Sequence, residues 1–99
     1  KFMSRDGIVV TILNINPFTK KLLIKPNVTT RGFVLVNENI ELISAIERKI
    51  SDVVNSYLRN NDYNYVDLRN TIILELHPFI NNLTGRRPTI IPVIMEIKK

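Results

Sequence analysis

Two hydrophobic periods divide this chain. Gly7 to Ile15 reads Gly-Ile-Val-Val-Thr-Ile-Leu-Asn-Ile, β-branched and apolar at both parities, which predicts a strand with two apolar faces. Asn16-Pro17-Phe18-Thr19-Lys20 supplies turn chemistry, and Lys21 to Thr29 returns as a second strand. Pro26 and Asn27 interrupt it with a bulge, because proline has no N–H for the ladder. Arg31-Gly32 breaks the chain, and Phe33 to Val36 stays extended.

The period then changes. Asn37 is a good N-cap, and Glu38 and Glu41 fall in the first turns of the helix it would start. Ile43, Ile46, Ile50, Val53 and Tyr57 recur at three- and four-residue spacing, with Val54 and Leu58 widening the stripe, so this helix runs to about Leu58. Asn60-Asn61-Asp62 is a polar break. A second helix starts at Asn64 as cap with Asp67 three residues on. Leu68, Ile72, Leu76, Phe79, Ile80 and Leu83 form its buried stripe. Pro78 should kink or divide it, and Gly85 ends it.

The last segment is Thr89-Ile90-Ile91-Pro92-Val93-Ile94-Met95-Glu96-Ile97. Side chains alternate across a strand, so Ile91, Val93, Met95 and Ile97 point one way and Ile90, Pro92 and Ile94 the other. Pro92 confines the strand to a sheet edge or a bulge. The order strand, strand, helix, helix, strand predicts an α+β fold, a three-stranded β-sheet with two α-helices packed on one face. All 99 residues form one domain, without repeats.

That architecture leaves the second apolar face of the sheet to be covered. Leaving several Ile and Val side chains wet forgoes several kcal/mol at ~25 cal/mol per Å². The expected use is an interface with a symmetry mate or another domain, supplied by Ile90, Pro92 and Ile94 or by the alternate row. The other possibility is that loops, Phe33–Val36 and the N-terminal arm cover it.

Composition narrows the class little. Hydrophobic residues make up 44% and charged residues 23%, as in a globular chain. There is no cysteine, which removes thiol chemistry and suits a reducing cytoplasm. No apolar run approaches the ~20 residues of a membrane span, and no signal pattern opens the chain. It begins at Lys1, so the natural start is expected upstream.

The net charge of +5 is unevenly spread. Up to Arg31, Lys1, Arg5, Lys20, Lys21, Lys25 and Arg31 face only Asp6, and after Glu75 four basic residues face only Glu96. The helical middle is acidic. Arg31, Arg86 and Arg87 are therefore candidate phosphate contacts for RNA, with Lys20 and Lys21 as further possibilities. Arg86 and Arg87 could equally bind helix-end carbonyls or acids.

No catalytic constellation emerges. His77 is the sole histidine, and a zinc site needs three or four His, Cys or carboxylate ligands. Glu41, Glu47 and Asp52 are spaced for solvated helix faces. No catalytic, cofactor-binding or metal residue is expected in this chain.

Three segments carry a family resemblance. Thr84-Gly85-Arg86-Arg87-Pro88-Thr89-Ile90-Ile91-Pro92-Val93-Ile94-Met95-Glu96-Ile97 resembles the tail of bacterial ribonuclease J, T-K-R-R-P-M-I-L-P-(V/I)-I-M-E-V. Asp6-Gly7-Ile8-Val9-Val10 is similar to the family's D-G-(I/L)-V-V-V strand, and Thr30-Arg31-Gly32-Phe33-Val34 to its S-R-G-F-V link. Gly85, Thr89 and Ile91 depart from the common Lys, Met and Leu. The resemblance implies the C-terminal domain of a cytoplasmic RNA-processing and RNA-degrading enzyme, a 5′→3′ exonuclease and endonuclease. Its metallo-β-lactamase and β-CASP domains hold zinc through motifs such as H-x-H-x-D-H, absent here. It further implies a supporting role in oligomer assembly or in docking to the parent's catalytic domains, with RNA met through the parent and no membrane partner.

Overall fold

In the computed structural model, residues 7–32 and 39–98 are described. Strand β1 (Ile8–Asn16) is followed by β2 (Lys21–Leu22), β3 (Asn27–Arg31), helices α1 (Asn39–Asn60) and α2 (Tyr65–Thr84), and β4 (Thr89–Glu96). This is the α+β arrangement the periodicity predicts. The second strand is divided in two: Leu23 N–H still donates to the Asn14 carbonyl at 2.8 Å, Ile24 to Pro26 leave the ladder, and β2 and β3 lie on either side. The expected Asn37 cap and the Phe33–Val36 segment lie outside the described residues.

β1 is the central strand. Along one side β4 runs parallel to it from Ile8↔Thr89 to Ile15↔Glu96. Along the other, β3 pairs antiparallel with Ile8 to Ile12 and β2 with Ile15 and Asn16, so the sheet is three strands wide.

Among the described residues β4 lies at an edge, as Pro92 requires. Thr89 N–H donates to the Gly7 carbonyl at 2.9 Å and Ile97 N–H to the Ile15 carbonyl at 2.8 Å. Odd-numbered residues of β4 therefore face β1, and the even-numbered Pro92 places its donorless nitrogen on the outer edge. No ladder bond is lost, and the missing donor sits where another strand would have to add.

The helices cover one face. α1 packs on α2, β2 and β3, and α2 on β4. Val9, Leu13 and Ile15 of β1, Ile46, Ile50, Val54 and Leu58 of α1, and Leu68, Ile72, Leu76 and Ile80 of α2 make one buried core. Leu83, expected in that stripe, is 52% exposed at the far end of α2.

Caps fix both ends of α2. Asn64 Oδ1 accepts the Asp67 N–H at 2.8 Å, and Gly85, at φ 74°, donates its N–H to the Asn81 carbonyl at 2.8 Å. Pro78 does not divide the helix. It removes the bond to Leu74, but Leu74 and Pro78 are both exposed, so water can satisfy the freed carbonyl.

Candidate functional site

The face of the sheet away from the helices is the most distinctive surface. Along β4 every second residue is buried: Ile90, Pro92 and Ile94 lie under the helices. This corrects their candidacy for the interface. Facing the same way as the core residues of β1, they are spent on holding α2.

The alternate row is the open one. Ile91 (38% exposed), Val93 (36%) and Met95 (48%) project outward beside Val10, Ile12 and Asn14, their partners in register. Thr29 and Asn27 continue the rows on β3. Ile12 is 39% and Leu23 44% exposed. The face is thus an apolar strip on β1 and β4 with a polar margin on β3. Among its described paired residues Arg31 and Lys21 carry charge, Arg31 at one end of β1 and Lys21 at the other.

Arg31 marks one end. Ile8 pairs with both Arg31 and Thr89, so Arg31 lies across one strand from the segment containing Arg86 and Arg87. Gly7 and Gly32 meet at this end: a Cβ on Gly32, at φ +84°, would stand 3.1 Å from the Gly7 Cα. Arg86 is half-buried, its N–H donating to Thr84 Oγ1 at 3.0 Å. Arg87 is exposed and borders a shallow concavity with His77, Pro78 and Asn81. The three candidate arginines therefore share one end of the sheet.

A concavity of about 510 Å³ lies between α1 and α2. Lys49, Asp52, Ser56, Tyr57, Asp67 and Glu75 line it. Its groups are paired for structure. Tyr57 Oη donates to Asp67 Oδ2 at 3.0 Å, and burial followed by this contact raises the phenol's pKa. Lys49 reaches Glu75 at 3.7 Å and sits 5.6 Å from the Phe79 ring centroid. Glu47 pairs with Lys25 at 3.6 Å, tying α1 to the β2–β3 connection. Exposed pairs of this kind contribute at most about 1 kcal/mol each. Among the described residues no three His, Asp or Glu side chains converge to hold a metal ion. No helix there is long and apolar enough to cross a membrane.

Sequence reasoning found both rows of β4, but the choice between them required the position of the helices. It missed Leu23, which bonds to Asn14 and so falls on the open face, opposite in parity to the core-packed Leu22.

Comparison with known proteins accords with this architecture. The family model of the ribonuclease J C-terminal domain matches residues 1–97. Ribonuclease J 2 of Streptococcus pyogenes is 30% identical over 98 residues, 99% of this chain and 18% of that protein. Ribonuclease J 2 of Staphylococcus aureus is 28% identical and that of Staphylococcus epidermidis 30% identical, each over 95 residues, 96% of this chain and 17% of theirs. The chain thus spans less than a fifth of the length of these relatives. Matched almost from end to end, it belongs to the ribonuclease J C-terminal domain family.

Proposed function

We propose that this chain is a non-catalytic accessory domain of a cytoplasmic ribonuclease J-like enzyme, docking through the open face of its sheet. The exposed row Ile91, Val93, Met95 beside Val10 and Ile12 carries this reading. A soluble domain rarely leaves such a strip exposed without a use.

Size decides which kind of docking is favoured. A sheet three strands wide at ~4.8 Å per strand and eight residues long at ~3.3 Å each has a footprint of at most roughly 380 Å². A stable interface between separate proteins buries about 800 Å² per partner. The strip is therefore too small to hold two free domains firmly. It suffices for docking within one chain, where a short tether supplies an effective concentration in the millimolar range. In a protein of the relatives' length, catalysis, with its zinc, belongs to the other domains, and this one positions them or their assembly.

The test is hydrogen exchange in the full-length protein with Val93→Glu. Loss of protection on β1 and on the partner surface, with the core on the helical side unchanged, is expected. Unchanged exchange outside this domain sinks the docking reading. Light scattering of the 99-residue chain should show a monomer across the micromolar range; a firm, salt-tolerant dimer would move the interface to self-association.

A second reading rests on the convergence of Arg31 with Arg86 and Arg87 at one end of the sheet. There the domain contributes phosphate contacts to RNA held by the parent. Alanine at all three should lower the salt dependence of RNA affinity, and an unchanged slope rejects it.

A further inference from the structure

The β1–β2 hairpin carries an exposed aromatic ring on a backbone that holds it in one place. Asn16 Oδ1 accepts the N–H groups of Phe18 at 2.9 Å and Thr19 at 3.1 Å, and Lys20 N–H donates to the Asn16 carbonyl at 2.8 Å. Three bonds thus fix a four-residue loop, and Phe18 stands 75% exposed on it. A disordered loop would hide such a ring against the domain part of the time; this one presents it.

The next residue but one is unusual as well. Lys20 adopts φ 58°, the one non-glycine positive φ among the described residues. The loop needs a left-handed residue there, and Gly or Asn would fill the position with less strain. Here a lysine stands in it, beside Lys21.

Charge in this half of the domain has one sign. Gly7 to Gly32 contains Lys20, Lys21, Lys25 and Arg31 and no acidic residue. Lys25 is engaged with Glu47, whereas Lys20 and Lys21 have no ion pair among the described residues. An exposed ring followed two and three residues later by such lysines matches the way single strands are bound: a base stacks on the ring while ammonium groups take the phosphates.

We infer that the hairpin tip, Phe18 with Lys20 and Lys21, is a contact site for single-stranded RNA, one base on the ring and adjacent phosphates on the lysines. It lies at the end of β1 remote from Arg31, Arg86 and Arg87, so it is separate from the arginine site. The inference rests on membership in a ribonuclease family and is independent of docking by the sheet face. Val93→Glu can therefore fail to alter exchange while the tip still binds.

The test is fluorescence anisotropy of a labelled twelve-nucleotide oligouridine titrated with the chain between 50 and 200 mM salt. Phe18→Ala should weaken binding about tenfold and Phe18→Trp restore it. Lys20→Gly, which suits the left-handed backbone, and Lys21→Gln should each reduce the salt slope by about 0.7 without lowering thermal stability. An affinity for oligouridine that Phe18→Ala leaves within twofold overturns the inference, because charge alone then explains binding. So does Phe18-dependent binding to phosphatidylserine vesicles without binding to oligouridine, which would make the tip a lipid contact.

Discussion

Tyr63 Oη donates to Glu96 Oε2 at 2.5 Å, joining the α1–α2 connection to the end of β4 across 33 positions of sequence. The hydrogen bond from Tyr63, aided by Lys98 at 3.5 Å, holds the Glu96 carboxyl below its ordinary pKa. Burial, then the bond to Glu96, raises the Tyr63 phenol above its ordinary 10.0. Each end of the pH range has its own sign. Glu96 has a depressed folded-state pKa, so its contribution is present above the ordinary carboxylate range and fades as pH falls through the depressed value. Tyr63 has a raised one, so its contribution is present below pH 10 and fades as pH rises beyond it. Tyr63→Phe should flatten the urea midpoint against pH at both extremes; an unaltered profile shows that the contact does not stabilise the fold.

The two rows of β4 should respond oppositely to substitution. Ile94→Ala removes methyls from the core and should cost about 2–4 kcal/mol in urea unfolding of the chain. Val93→Thr keeps the β-branch on the open face and should change stability by less than about 0.5 kcal/mol. Equal costs would mean that the open face is covered within the domain itself.

Thr11 is fully buried, and its hydroxyl has no hydrogen-bond partner among the described residues. Its neighbours in register are Pro92 and Val28. Thr11→Val preserves shape and removes the orphan hydroxyl, so it should raise stability by about 1 kcal/mol. A destabilised variant would point to a buried water bonded to Oγ1.

Gly85→Ala separates sterics from backbone conformation. A Cβ there would meet no atom within 4 Å, but φ is +74°. The expected cost, about 1–2 kcal/mol by thermal unfolding, is purely that of a left-handed alanine. A neutral result would show that the helix ends elsewhere without penalty.

Much of the fold was legible because local chemistry and long-range packing agree in this chain. Asn64 caps α2 through its side-chain oxygen and Gly85 through the left-handed backbone its missing Cβ permits, and Pro92 sits at the edge its missing donor demands. The division of the second strand follows from Pro26, although the break starts earlier, just after Leu23. Which row of β4 faces solvent was not legible. Both rows are apolar, so alternation gives two equivalent solutions, and only the placement of α2 over Ile90, Pro92 and Ile94 separates them. The candidate site was obscured for a related reason: Phe18 looks like an ordinary turn residue until the three bonds to Asn16 show it held outward.

The parallel pairing of β1 with β4 also governs when the domain can fold. The first strand of the sheet is flanked on one side by the last, with both helices between them in sequence. As the chain leaves the ribosome, β1, β2 and β3 alone leave one edge of the central strand without a partner, and the helices lack the Ile90 and Ile94 side of their platform. The sheet closes only after Glu96 has emerged, so the non-local contacts come last and slowly. Until then Val9, Leu13 and Ile15 are a nascent-chain hazard, and a message broken before the codons of β4 yields a product fit for proteolysis rather than a smaller working domain.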